Sequence, residues 1–187
     1  IVALWVGASA FGLTQLWRYA GTPGALEAPP ARFPAESALA HEPGPTLLVF
    51  AHPHCACTRA TLSELATLLA RSEAAPTAYV VVADAPGLGD VGRSDAVRLA
   101  RSIPGVQVVL DTGGREAALF RARTSGEVIV YDAEDRLAFH GGITASRGHV
   151  GDNEGRRRAL AAVERGHAAA PMNPVFGCAI DDEKGEP

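Results

Sequence analysis

Cysteine is scarce in this chain, with three residues in 187. So few cannot staple a small scaffold, and an odd number leaves one without an intramolecular partner. An excess of positive charge is also missing. The formal net charge is −4, which sets aside nucleic acid as a partner. No strand-like run is followed by a phosphate-cradling glycine motif, so no organic cofactor is implied. No segment repeats. Charge is absent from residues 1–17, which are mostly apolar, with Trp5 and Trp17 near the ends and Arg18 and Tyr19 following.

That uncharged opening sets the first expectation. Seventeen uncharged residues are at the short limit for a bilayer span. Residues 1–19 therefore read as a transmembrane signal anchor, with a cleaved signal peptide as the alternative. Residues 20–45 contain six prolines and no sustained periodicity, which predicts an extended linker. Residues 46–167 read as the domain and residues 168–187 as a tail that ends acidic.

Within the domain the pattern alternates. The unbroken apolar run at 46–51 predicts a strand buried on both faces. Leu62, Leu65, Ala66 and Leu69 predict an amphipathic helix reaching about Arg71. A strand over 78–83 and a Gly-rich loop follow. Ser94 then caps a helix that buries Ala96, Leu99, Ala100 and Ile103. A strand over 106–110 and a short helix to about Arg123 come next, with Asp84 and Asp111 as turn formers. Strands at 127–131 and 136–140 flank an Asp-rich turn and read as a hairpin. The last helix covers about 154–165, and its Arg156, Arg157 and Arg158 read as a solvated face. The fold class is therefore α/β: a mixed central sheet flanked by helices, parallel at first and closed by an antiparallel hairpin.

The chemistry concentrates where the first strand meets the first domain helix, in Phe50-Ala-His-Pro-His-Cys-Ala-Cys-Thr-Arg59. A thiol at a helix N-terminus faces unpaired N–H groups and the positive end of the dipole, both of which favour thiolate. His54 and Arg59 add positive charge nearby. A strand, a Pro-containing turn, two close cysteines and a helix resemble the active-site corner of the thioredoxin superfamily. The runs His-Pro-His-Cys-Ala-Cys-Thr-Arg-Ala, Gly-Gly-Ile-Thr-Ala-Ser-Arg-Gly-His-Val-Gly-Asp-Asn and Val-Phe-Gly-Cys resemble the bacterial membrane-anchored RedB-type proteins.

The resemblance implies a thioredoxin-like fold and thiol–disulfide exchange with protein or small-molecule thiols and disulfides. Cys55 would attack, Cys57 would resolve, and His54 would tune the thiolate. The cysteine pair and the lone N-terminal span together predict a single-pass protein of the bacterial inner membrane whose domain faces the periplasm or cell exterior. Two departures stand out. One residue rather than two separates the cysteines, with Thr58 at the usual resolving position. The stretch Thr124-Ser125-Gly126 lacks the proline that the superfamily places opposite its cysteines.

A second reading uses the same corner. His52, His54, Cys55 and Cys57 supply four N and S donors within six residues, in kind enough for copper or zinc. His140 and His149 are more distant candidates for such a site. A non-catalytic interaction domain is a third possibility. The loop at 141–153 is the other informative stretch. There Arg147 or His149 could stabilise a thiolate, or the glycines at 141, 142, 148, 151 and 155 could simply serve turns while Asp152 or Asn153 caps a helix. Cys178 is open to three readings: a tail thiol, a resolving partner for Cys55 or Cys57, or an intermolecular bridge.

Overall fold

Burial on both faces makes the run at 46–51 the middle of the sheet, and all six of its residues are inaccessible to solvent or nearly so. The computed structural model describes every residue except 41, 169 and 182–187, so the acidic end of the tail lies outside the described residues. In chain order the elements are α1 (Val2–Gly21), β1 (Thr46–Ala51), α2 (Ala56–Arg71), β2 (Thr77–Asp84), α3 (Asp95–Arg101), β3 (Val106–Thr112), α4 (Arg115–Phe120), β4 (Glu127–Tyr131), β5 (Leu137–Gly142), α5 (Glu154–Arg165) and β6 (Met172–Asn173), with a 3-10 turn at Val91–Arg93 before α3. The strands form one sheet in the order β3-β2-β1-β4-β5-β6. β1 pairs parallel with β2 and antiparallel with β4, and β4 pairs antiparallel with β5. The fold is thus a mixed α/β sheet flanked by helices, consistent with a thioredoxin-like arrangement.

Alternation along the strands splits the core in two. Leu47, Val49, Val80, Val82, Val128 and Val130 face Leu62, Leu65 and Leu68 of α2, Val97 of α3, and Ala159 and Val163 of α5. Leu48, Phe50, Tyr79, Val81, Ile129 and Tyr131 face Phe120 of α4. Because α2 is held by the first set, the corner that starts it lies at the end of β1, on that face of the sheet.

Four expectations need correction or refinement. Residues Val2–Gly21 are helical, but no described helix is long and apolar enough to cross a membrane. Gly7, Ser9, Gly12, Thr14 and Gln15 dilute its apolar side chains, so the transmembrane and membrane-contact expectations are without support. Next, the described residues from 22 to 45 form no helix or long strand, as a linker would, but they are fastened to the domain. The Phe33 ring packs edge-on against Phe120 and Tyr131, with centroids 5.3 and 5.4 Å away. Tyr131 and Tyr79 donate their hydroxyls to the Pro30 and Ala40 carbonyls. The tail also packs: β6 pairs with β5, and Val175 and Ile180 are buried.

Finally, Arg156 is not a solvated residue. Its guanidinium is buried against Glu64 of α2, which is wholly inaccessible, and reaches Asp152 at 2.6 Å. Glu64 also accepts the Gly151 N–H at 2.7 Å and the Asn153 amide at 3.3 Å. This carboxylate therefore ties the 141–153 loop to the helix that carries the cysteines. Asn153 caps α5 by accepting the Arg156 N–H at 2.8 Å, and Gly155 lets α5 approach β5, since a Cβ there would lie 2.0 Å from the Gly142 carbonyl.

The fold also buries an acid with little compensation. Glu127 opens β4, opposite Phe50, and its Oε1 is buried without a hydrogen-bond partner. Burial pushes this carboxyl from 4.5 up to about 8, against the opposing pull of the Arg123 and Thr124 backbone N–H groups. Below pH 4.5 the native and unfolded chains both carry the proton. As pH rises towards 8 the unfolded chain releases it first, so native stability falls across that window and the loss is complete above it. Glu127→Gln is expected to flatten this fall, on the order of a few kcal/mol. Urea midpoints measured at pH 5 and pH 8.5 check this. Equal pH dependence in the two proteins would contradict it.

Candidate active site

The corner is built by a turn that leaves β1 and enters α2. Cys55 donates its N–H to the His52 carbonyl at 3.2 Å, and the Thr58 hydroxyl donates to the same carbonyl at 3.1 Å. Cys55 is the N-cap residue of α2, with extended φ and ψ, so it stands at the positive end of that helix. The Cys55 and Cys57 side chains are both buried.

A third cysteine joins them. The tail runs antiparallel to the loop before β4: Ser125 donates its N–H to the Cys178 carbonyl at 2.8 Å, Thr124 bridges Ala179, and Ile180 donates to the Arg123 carbonyl at 2.9 Å. Ser125 is the hinge of the assembly. Its hydroxyl accepts the His52 N–H at 2.9 Å and lies 3.1 Å from the Thr58 hydroxyl. One buried serine therefore links the loop, the corner and the tail. Where a proline was missing from the sequence there is no cis peptide among the described residues, and the Ser125 N–H is free to hold Cys178 in place.

These contacts set the charge states. The Cys57 thiol donates to the Cys55 sulfur, and the Cys178 thiol and the Cys178 and Cys57 backbone N–H groups add to it. Together they outweigh burial and hold the Cys55 thiol far below its ordinary range. Cys57 shifts the opposite way. Donation to Cys55, then burial, then the negative charge of Cys55 keep its proton on, opposed in part by the Arg147 charge. The surroundings of Cys55 therefore favour its thiolate, and those of Cys57 its thiol.

The sequence candidates fall out unevenly around this centre. His54 does not face the sulfur through its ring: Nε2 is 2.9 Å from the Leu88 carbonyl, and its backbone N–H reaches His52 Nδ1 at 3.3 Å. Arg147 is brought to the site, close enough for its charge to act on Cys57. Its guanidinium stacks 4.7 Å over the Tyr19 ring, and its N–H bonds the Ala20 carbonyl at 3.1 Å. The end of α1 thus docks beside the thiols. His149 is exposed and makes no hydrogen bond or ion pair with the thiols among the described residues. His140 faces the other side of the sheet, paired across from Ile129, and burial lowers its pKa. Among the described residues, no group of three or more His, Cys, Asp or Glu is placed to hold a metal ion.

An open groove of about 890 Å³ runs from Cys55 between α2 and α3, past His54, Arg59, Arg93 and Arg98. Cys55, only 6% exposed as a residue, lines one end of this groove. Sequence reasoning left Ser125 unassigned and Cys178 open among three readings. Ser125 carried no signal beyond standing where a proline was expected. Cys178 carried a weak one, the Val175-Phe176-Gly177 run before it, whose glycine sits so close to Ser125 that a Cβ would come 1.8 Å from its carbonyl oxygen.

Comparison with known proteins identifies the architecture rather than the activity. No family model matches the chain, and no curated protein does. An uncharacterized conserved protein of Geobacillus kaustophilus superimposes with a TM-score of 0.60 at 17% identity, over 77% of this chain and 80% of that one. A hypothetical protein of Sinorhizobium meliloti gives 0.56 at 22% identity, over 73% and 78%. A secreted disulfide oxidoreductase of Mycobacterium tuberculosis, homologous to E. coli DsbE, gives 0.44 at 16% identity, over 65% and 81%.

Proposed function

We propose that this protein carries out thiol–disulfide exchange, with Cys55 as the attacking thiolate. The observation that carries this reading is the position of Cys55, buried at the N-cap of α2 beside the buried Cys57, where neighbouring thiols and backbone N–H groups hold its pKa down. Such an environment makes a thiolate at neutral pH, and the thiolate is the species that attacks disulfides. The Cys55 thiolate would attack one sulfur of a partner disulfide, expel the other as a thiolate, and leave a mixed disulfide. A second protein thiol would then attack Cys55 and expel the remaining partner sulfur. The partner gains two electrons and leaves as two thiols.

The likeness to RedB-type proteins belongs to the same proposal. Its support is spatial: Cys55 and Cys57, Arg147, and Cys178 come from the three runs that resemble those proteins, and all act on one thiol corner. Protein or small-molecule disulfides are the proposed partners, approaching through the groove beside Cys55.

Alkylation tests the assignment of the nucleophile. The full reduced chain, treated with limiting iodoacetamide from pH 5 to pH 9 and mapped by peptide mass, should be modified at Cys55 first, with a rate nearly independent of pH down to 5. Rates that climb together for all three cysteines near the ordinary thiol pKa of about 8.5 would overturn the reading.

A further inference from the structure

We propose that Cys178, rather than Cys57, resolves the mixed disulfide on Cys55, so that the oxidised chain carries a Cys55–Cys178 bridge fastening the tail across the active site. This rests on the exchange reading above and assigns its second half.

Three observations place Cys178 for the task. Its backbone is held in extended form against the loop at 123–125 by hydrogen bonds on both sides, through Ser125 and Ile180. Gly177 brings that backbone flush against the Ser125 carbonyl, an approach no other residue type would allow, since a Cβ would lie 1.8 Å from the oxygen. Upstream, Gly24 donates its N–H to the Val175 carbonyl at 2.8 Å, and Thr124 donates its hydroxyl to the Ala25 carbonyl at 2.6 Å. The segment before β1 therefore clamps the tail from outside. The result places Cys178 against Ser125, whose hydroxyl holds the turn carrying Cys55, so the Cys178 thiol and N–H come near enough to favour the Cys55 thiolate.

Cys57 is worse placed, although it is nearer in sequence. It belongs to the first turn of α2, and bridging it to Cys55 across one residue closes a small ring that strains that turn. Its proton is also firmly held. Its service is to donate to the Cys55 thiolate, while the tail supplies the second thiol without disturbing the helix.

The electrons balance as follows. Cys55 attacks a disulfide R–S–S–R, the S–S bond breaks, and one RS⁻ departs and is protonated. Cys178 gives up its proton and attacks the Cys55 sulfur; the Cys55–SR bond breaks as the Cys55–Cys178 bond forms, and the second RS⁻ leaves. Two protein thiols are oxidised and one disulfide is reduced to two thiols.

The test uses the reduced full chain, glutathione disulfide as the probe, acid quenching, intact mass and peptide mapping. Wild type is expected to lose two protons, to hold little glutathione adduct, and to yield a cross-linked peptide pair joining Cys55 to Cys178. In Cys178→Ser the adduct on Cys55 should persist at least about tenfold longer, because the positioned thiol is gone. Cys57→Ser should still clear it to a Cys55–Cys178 bridge. Gly177→Ala, which keeps all three cysteines and displaces only the tail, should prolong the adduct in the same way.

The proposal is overturned if Cys57→Ser holds the adduct while Cys178→Ser clears it, or if the wild-type bridge lies within the single peptide containing Cys55 and Cys57. The double variant Cys57→Ser/Cys178→Ser separates this idea from the one beneath it. An adduct there on Cys55 upholds the exchange reading, whichever thiol resolves. Its absence overturns both.

Discussion

Cys55→Ser is expected to lower the rate of disulfide reduction at least about 100-fold, to the uncatalysed background. The size of the effect follows from what the corner is built to do. The donors around position 55 stabilise a negative sulfur, whereas the surroundings of Cys57 keep its proton on. A serine hydroxyl in the same place stays protonated and is not a nucleophile towards disulfides. Cys57→Ser should be milder and of a different kind. A hydroxyl still donates to Cys55, so the thiolate should survive while its pKa drifts upward. Initial rates of glutathione disulfide consumption, together with the pH dependence of Cys55 alkylation, separate the two. A Cys55→Ser protein that retains more than about a tenth of the wild-type rate would remove Cys55 from its role.

Arg156→Met should destabilise the fold by about 3–5 kcal/mol, a large share of the 5–15 kcal/mol that holds a typical domain together. The guanidinium is only 7% exposed and its partner Glu64 not at all. Removing the cation leaves a carboxylate sealed between α2 and α5 with only the Gly151 N–H and the Asn153 amide to satisfy it. The loss would be mostly the cost of that stranded charge rather than the worth of the pair. Arg156→Met combined with Glu64→Gln should therefore regain most of the stability, since the amide oxygen can still accept the Gly151 N–H. Urea unfolding of wild type, single and double variants checks this, and a double variant no better than the single would contradict it. Because the same carboxylate positions the 141–153 loop, the single variant should also lose the Arg147 influence on Cys57.

The strands were legible in the sequence because local pattern and tertiary environment agree there. β1 reads as apolar throughout because it is buried on both faces, and Ser94 and Asn153 cap their helices because short polar side chains suit those positions. Arg156 was misread because three arginines in a row resemble a solvated face. Yet it stands at helical spacing before Ala159 and Val163, both of which face the core, and Glu64 stands four residues before the buried Leu68. Periodicity held the clue, and charge type concealed it. The tail was not legible for a different reason. Its partners are the lone loop residues Arg123, Thr124 and Ser125, more than fifty positions earlier, and two or three backbone hydrogen bonds leave no hydrophobic period to read. The N-terminal helix shows the converse failure: its apolar composition suggested a span, whereas its small and polar residues keep it below what a bilayer crossing needs.

What the corner could be named from sequence, its cysteine pair, is thus half of what the fold assembles. The other half is Ser125 and the tail, brought in by the β4 loop and by the clamp from the segment before β1, while Arg147, a candidate already in the sequence, arrives on the Glu64-anchored loop. A redox titration of the full chain in glutathione buffers of graded poise, followed by acid trapping and intact mass, tests the central claim most directly. The account predicts one reversible two-electron transition, seen as the loss of two protons, that disappears in Cys55→Ser. A wild-type chain whose three thiols remain unchanged across all poises would contradict it.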